Sequence, residues 1–204
     1  MPADAIVHVI DDDAAVRESV EFLLRASGIA ARTYDSASAF LDALPTVESG
    51  CIVTDVRMPG ISGIDLLRRL GEMRIRIPVI VITGHGDVPL AVEAMKVGAI
   101  DFIEKPFEDE LLLESVRSAL NRSRESAGRE AQRTELQARL STLTSRERDV
   151  LNGLVAGKPN KIIAFDLAIS PRTVEIYRAN VMTKMEAASL SELVRMALVV
   201  GVLQ

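Results

Sequence analysis

Across residues 5–121, short apolar runs rich in Val and Ile alternate with longer segments whose apolar residues recur every three or four positions. The runs occupy about 6–10, 30–34, 51–54, 79–83 and 100–103, and the longer segments about 14–27, 36–44, 62–72, 87–97 and 108–121. In the first of these segments Val16, Val20, Leu23 and Leu24 fall on one helical face. Strands that are apolar on both faces must be covered on both faces, and a helix after each strand supplies that cover. The pattern predicts five βα units in a doubly wound five-stranded parallel sheet, flavodoxin-like by count, an α/β fold over residues 5–121. Ligands of such a sheet collect at the carboxyl ends of its strands.

Beyond residue 121 the text changes. Residues 122–141, RSRESAGREAQRTELQARLS, are polar, free of Pro and tolerant of helix. A solvated helical linker accounts for them, while Leu136, Leu140 and Leu143 leave open a segment that pairs two chains. Residues 142–204 lack strand-like alternation but carry repeated helix starts. Thr144 to Glu147 and Ser189 to Glu192 match the capping box, and Ser170 precedes a proline at a first helical position. Four short helices are expected near 145–156, 160–167, 171–185 and 190–199, a C-terminal all-α domain.

The net charge of −5 divides unevenly between these parts. Residues 1–121 carry 20 Asp and Glu against 11 Lys and Arg, a net of −9, whereas residues 122–204 carry 9 against 13, a net of +4. An acidic unit is joined to a basic one. With 48% hydrophobic residues the chain has ample material for a core, which excludes a disordered class. No apolar stretch approaches the roughly 20 residues of a membrane span, and the opening MPADAIVHVIDDD has acids where a secretory leader needs bases. A cytoplasmic location and no membrane partner are expected, and the lone Cys51 fits a reducing compartment.

Polar residues from four sequence-distant places fall at the same edge of the expected sheet. Asp11, Asp12 and Asp13 follow the first strand, Asp55 ends the third, Thr83 ends the fourth and Lys105 follows the fifth. Taken alone, the three consecutive acids are as well explained by a helix N-terminus that favours negative charge. With Asp55, Thr83 and Lys105 in register, a site is the better account. Clustered carboxylates resist ionising together and call for a cation, and hard oxygen ligands beside a phosphoryl group suit Mg²⁺. An aspartate so placed is a nucleophile for phosphorus, with a lysine and a hydroxyl to neutralise the phosphoryl oxygens. A phosphatase of the aspartate-nucleophile type would need a second acid two residues after Asp55. Arg57 stands there, so no enzyme of that kind is expected.

With the acidic cluster, Asp55 in VTDVRMPGISG, Thr83 in VITGHGD and the Lys105-Pro106-Phe107 run, residues 5–121 resemble a two-component receiver domain. The resemblance implies that Asp55 is the phosphoacceptor. It implies that Asp11, Asp12, Asp55 and the Arg57 backbone carbonyl hold Mg²⁺, that Lys105 contacts the phosphoryl group, and that Thr83 and Phe102 form the switch. The phosphoryl group, once accepted, would be lost slowly. Taken on its own, Phe102 is equally a core residue. His8 is expected to be packed within the first strand, His85 to be structural or at a partner contact, and Cys51 to be a small core residue.

In the basic part, a helix, a turn and a second helix opened by Ser170-Pro171 follow helix-turn-helix grammar over residues 160–185. Val174, Tyr177, Val181 and Met185 stack on one face, and Arg172, Ile176, Ala179, Asn180 and Thr183 on the other. An outward Ile among polar residues suits the major groove, where apolar groups meet thymine methyls, although a face packed within the protein has the same periodicity. LTSRERDVL, the Gly157 to Ala164 run, ISPRTVEIYRANVMTKM and SLSELVRMAL are similar to the LuxR-type helix-turn-helix. Tyr177 stands where that family usually has His, and Glu186 where it often has Gly. Arg172, Thr173, Glu175, Ile176, Arg178, Asn180 and Lys184 are the candidate DNA contacts.

Together the two resemblances identify a response regulator of the NarL/FixJ type, and GHGDVPLAVEAMKVGAIDFIEKPFED is similar to its nitrogen-fixation members. This implies a sensor histidine kinase, one of the haem-containing oxygen-sensing kind. It also implies dimerisation on phosphorylation through the face of segments 87–97, 100–103 and 108–121, duplex DNA as ligand, and RNA polymerase as the partner of an activator. A competing expectation is a receiver-type interaction module whose helical end binds protein or RNA.

Overall fold

The computed structural model describes residues 5–47, 49–84 and 88–202. They divide into two compact units, Met1–Ala127 and Gly128–Gln204. In the first, β1 (Ile6–Ile10), α1 (Ala14–Ala26), β2 (Ala31–Tyr34), α2 (Ala37–Ala43), β3 (Gly50–Asp55), α3 (Gly63–Glu72), β4 (Val79–Thr83), α4 (Val88–Lys96) and β5 (Asp101–Glu104) precede the long α5 (Asp109–Ser141). The five strands form one parallel sheet in the order β2-β1-β3-β4-β5.

Alternation along the central strands divides the core into two layers. Ile52, Val79 and Val81 face the layer of Phe40, Leu66, Leu67 and Leu70. Cys51, Val53, Ile80 and Ile82 face that of Val20, Leu24, Leu112 and Val116. Every residue of β3 and β4 is buried, so these strands read as apolar runs and not as alternating ones. Each such Val, Ile or Leu contributes about 1.5–3 kcal/mol relative to an exposed side chain. Cys51 lies among them, its thiol pushed up to about 12 by burial. His8 is buried with its Nδ1 3.1 Å from the Tyr34 hydroxyl, beside Phe40. His85 lies outside the described residues.

The second unit holds α6 (Ser145–Val155), α7 (Asn160–Asp166), α8 (Pro171–Met185) and α9 (Leu190–Val199) around Val150, Leu151, Ile163, Val174, Val181, Met185 and Leu193. Thr144 and Glu147 form the full reciprocal capping box. At Ser189 the return bond reaches one residue further, to the Ala188 N–H from Glu192 Oε2 at 2.8 Å. Residues 122–141 are the C-terminal part of α5. Leu136 and Leu143 are buried, and Leu140 and Leu143 belong to the core of this unit. Leu136 and Leu140 of α5, and Leu143 just beyond its end, thus pack within this unit. Among the described residues no helix is long and apolar enough to cross a membrane.

Candidate functional site

The parallel register brings the acids to one edge. Asp11 continues β1, Asp55 ends the adjacent β3, and Lys105 follows β5 with its N–H donating to the Thr83 carbonyl at 2.8 Å. The Lys105 ammonium reaches between two carboxylates, 2.8 Å from Asp11 Oδ2 and 2.9 Å from Asp55 Oδ1. Asp11 is 1% and Asp55 7% exposed. Burial alone would disfavour the lysine's charge. The hydrogen bonds the ammonium donates to Asp11 and Asp55, and their negative charge, outweigh it, and the pKa of Lys105 is raised. The remaining Asp55 oxygen, Oδ2, accepts the Arg57 N–H at 2.6 Å.

The three consecutive acids have different tasks. Asp11 is buried in the site. Asp13 is the N-cap of α1, its Oδ1 accepting the Ala15 N–H at 2.9 Å, so the dipole explanation holds for this one residue. Asp12 is exposed and lines a cavity of about 700 Å³ together with Arg57, Met58, Ser62, Asp65 and Arg68. Among the described residues no three acidic, His or Cys side chains are gathered at metal-holding spacing. Asp11 and Asp55 are bridged by Lys105, while Asp12 stands at the rim. Two buried carboxylates, with the neighbouring Asp12 lining the cavity beside them, are nonetheless a donor set of hard oxygens, which fits a small divalent cation.

Thr83 is 1% exposed at the end of β4. Phe102 of β5 pairs with Val81 of β4 and packs half-buried against the core layer of Phe40 and Leu66. Two contributors had no motif to announce them. A side-chain carbon on Gly63 would stand 2.2 Å from the Asp55 carbonyl oxygen, so glycine lets α3 begin against the end of β3. Arg17 Nη1 donates to the Asp11 carbonyl at 2.6 Å.

In the second unit α8 turns Val174, Val181 and Met185 inward and leaves Arg172, Glu175, Ile176, Ala179, Asn180 and Thr183 exposed, with Ile176 57% exposed. Arg178 is half-buried. Thr173 belongs to the helix start, where Ser170 Oγ accepts its N–H at 3.1 Å. Lys184 flanks that face and is half-buried. Its Nζ lies 2.7 Å from Glu147 Oε2 and 3.3 Å from the Thr142 carbonyl. The buried Glu147 attracts it, because a carboxylate out of water needs a cation. Hydrogen bonds from Lys184 and then from the Thr144 N–H hold the Glu147 carboxyl down at about 2. Glu186 closes α8 in the left-handed conformation, φ 53°.

Comparison with known proteins agrees with both halves. A family described as the response regulator receiver domain matches residues 7–117, and one described as bacterial regulatory proteins, luxR family, matches residues 141–197. The transcriptional regulatory protein FixJ of Azorhizobium caulinodans is 61% identical over 202 residues, covering 99% of this chain and 96% of that protein. FixJ of Rhizobium meliloti is 55% identical over 198 residues, 97% of each. Among solved structures, the response regulator StyR is similar with a TM-score of 0.86 at 42% identity, covering 96% of this chain and 98% of that one. Full-length FixJ from B. japonicum is similar with 0.60 at 54%, covering 98% of each. The chain thus belongs to the two-component response regulators, a receiver domain joined to a LuxR-type DNA-binding domain, and is a phosphorylation-activated regulator of transcription and no member of a catalytic enzyme family.

Proposed function

We propose that Asp55 is the phosphoacceptor. An Asp55 carboxylate oxygen attacks the phosphorus of a kinase phosphohistidine, the new O–P bond forms as the P–N bond breaks, and the imidazole leaves. The observation that carries this reading is the Lys105 ammonium within hydrogen-bond distance of both Asp55 and Asp11 at the open end of the sheet. Asp11, Asp12, Asp55 and the Arg57 carbonyl would hold Mg²⁺. When bound, it would offset charge on the phosphoryl oxygens. Lys105 holds one side of the acceptor and is placed to follow the charge onto the phosphoryl group. Water later hydrolyses the acyl phosphate slowly, returning Asp55 and inorganic phosphate.

Thr83 and Phe102 carry the change to the face of α4, β5 and α5, through which two chains pair. Pairing doubles a DNA-binding surface whose own charge is modest. Arg172, Thr173, Glu175, Ile176, Arg178 and Asn180 are the proposed contacts at or beside the groove. Lys184, with its charge engaged by Glu147, is left to a supporting role. Nitrogen-fixation promoters, a haem-containing oxygen-sensing kinase and contact with RNA polymerase are proposed on the sequence resemblance, beside relatives that are themselves named transcriptional regulatory protein FixJ. The domain boundaries are proposed at 5–121, 122–141 and 142–204, in a cytoplasmic protein.

Acyl-phosphate labelling followed by footprinting tests the reading. Asp55→Asn abolishes labelling and the phosphorylation-dependent rise in dimer content and promoter affinity, with binding that weakens steeply as salt rises. Undiminished labelling moves the nucleophile elsewhere. Salt-insensitive binding to a protein or RNA, with none to duplex DNA, overturns the DNA assignment.

A further inference from the structure

Each hydrogen-bonding group of Asp11 has a partner. Its N–H donates to the Tyr34 carbonyl at 3.3 Å, Oδ1 accepts the Asp13 N–H at 2.9 Å, and Oδ2 accepts from Lys105 Nζ at 2.8 Å. Its carbonyl accepts from Arg17 Nη1 at 2.6 Å. Three of these partners come from the loops and strand ends that form the site. The fourth comes from a side chain within a helix.

Arg17 is the fourth residue of α1, at the end where the helix dipole disfavours a cation. A guanidinium carries five donors in a fixed plane, more than one carbonyl requires. Helix propensity does not ask for arginine there, whereas the Asp11 carbonyl, in a residue 1% exposed, needs a donor that water cannot supply. A planar group holding that carbonyl fixes the peptide between Asp11 and Asp12. The turn leading from the buried Asp11 to the cavity-lining Asp12 is thereby fixed as well.

We propose that Arg17 is a positioning residue of the phosphoacceptor site, holding the turn between β1 and α1 so that Asp11 and Asp12 present their oxygens together to a divalent cation. The proposal rests on the reading of Asp11, Asp12 and Asp55 given above. Groups that orient metal ligands without touching the metal change affinity by about 10–100-fold when removed.

Calorimetric titration of the unphosphorylated full chain with Mg²⁺ tests it, with melting temperature and acyl-phosphate labelling measured in parallel. Arg17→Ala is expected to weaken Mg²⁺ binding about tenfold while still melting cooperatively. Arg17→Lys, whose ammonium can still reach the carbonyl, is expected to recover most of that loss. An Arg17→Ala affinity equal to wild type, or an equal loss in the Ala and Lys variants, overturns the proposal. Should Arg17→Ala not fold, Arg17→Met, which keeps the stem without a donor, is read the same way. Failure of the underlying reading looks different: wild type then takes up no Mg²⁺, or Asp55→Asn labels as well as wild type.

Discussion

Lys184 Nζ lies 2.7 Å from Glu147 Oε2, and this pair ties the start of α6 to the end of α8. The same carboxylate oxygen accepts the Thr144 N–H at 2.8 Å, so one side chain closes a helix cap and anchors the helix that presents the proposed DNA contacts. Lys184→Met should destabilise the helical unit by about 1–3 kcal/mol, the scale of a hydrogen bond to a charged group. The pH dependence has a definite sign. Glu147 is held at about 2 against an ordinary 4.5, so its contribution is present above about 4.5 and is lost as pH falls towards 2. Lys184→Met should flatten that acid-induced loss, as measured by unfolding at a series of pH values.

Glu186→Gly should stabilise the same unit. Glu186 holds φ 53° at the end of α8, a conformation costing a residue with a Cβ roughly 1–2 kcal/mol and glycine little. Its compensation is an ion pair with Arg139 at 3.0 Å, in which the Glu186 side chain is 67% exposed and which therefore adds little. Arg139 retains its bond to the Met185 carbonyl at 3.1 Å in the variant. The expected gain is about 1 kcal/mol, seen as a higher melting temperature with DNA affinity unchanged.

Gly63→Ala should damage the acceptor site without touching a charged residue. The added methyl would lie 2.2 Å from the Asp55 carbonyl oxygen and 3.2 Å from Thr54 Cγ2, so α3 or the end of β3 must shift. A loss of about 1–3 kcal/mol is expected from such overpacking, together with slower acyl-phosphate labelling, since Asp55 moves with its backbone. Labelling at the wild-type rate would show that the acceptor geometry tolerates the shift.

His8 should make the receiver unit acid-sensitive. Burial, with the positive Arg32 adding to it, pushes the imidazole down to about 4 from 6.5. The folded state therefore holds His8 neutral, and its contribution, complete above pH 6.5, is lost as pH falls towards 4. The loss is on the order of 2 kcal/mol. His8→Phe, which keeps an aromatic ring beside Tyr34 and Phe40, should remove that component. The difference between the two proteins in unfolding free energy at pH 7 and pH 4.5 measures it.

The alternation of Val- and Ile-rich runs with helical segments already contained the receiver's sheet, because a strand buried on both faces leaves a continuous apolar signature. Asp55, Thr83 and Lys105 were legible for a related reason: a polar residue at the end of such a run can only be at the sheet's edge. The inward and outward faces of α8 followed from a period of 3.6 applied to fifteen residues, and Val174, Val181 and Met185 are indeed its buried positions.

Other assignments needed partners that no spacing reveals. Asp11, Asp12 and Asp13 are chemically alike and consecutive, yet one is buried beside Lys105, one lines a cavity and one caps α1, because the turn sends each in a different direction. Lys184, a candidate DNA contact, has a partner that no spacing announces, Glu147, 37 residues earlier in the chain. Local periodicity is written in the order of residues and can be read there. Pairings between distant side chains depend on where folding brings them, and at this site those pairings decide which charges remain free to act.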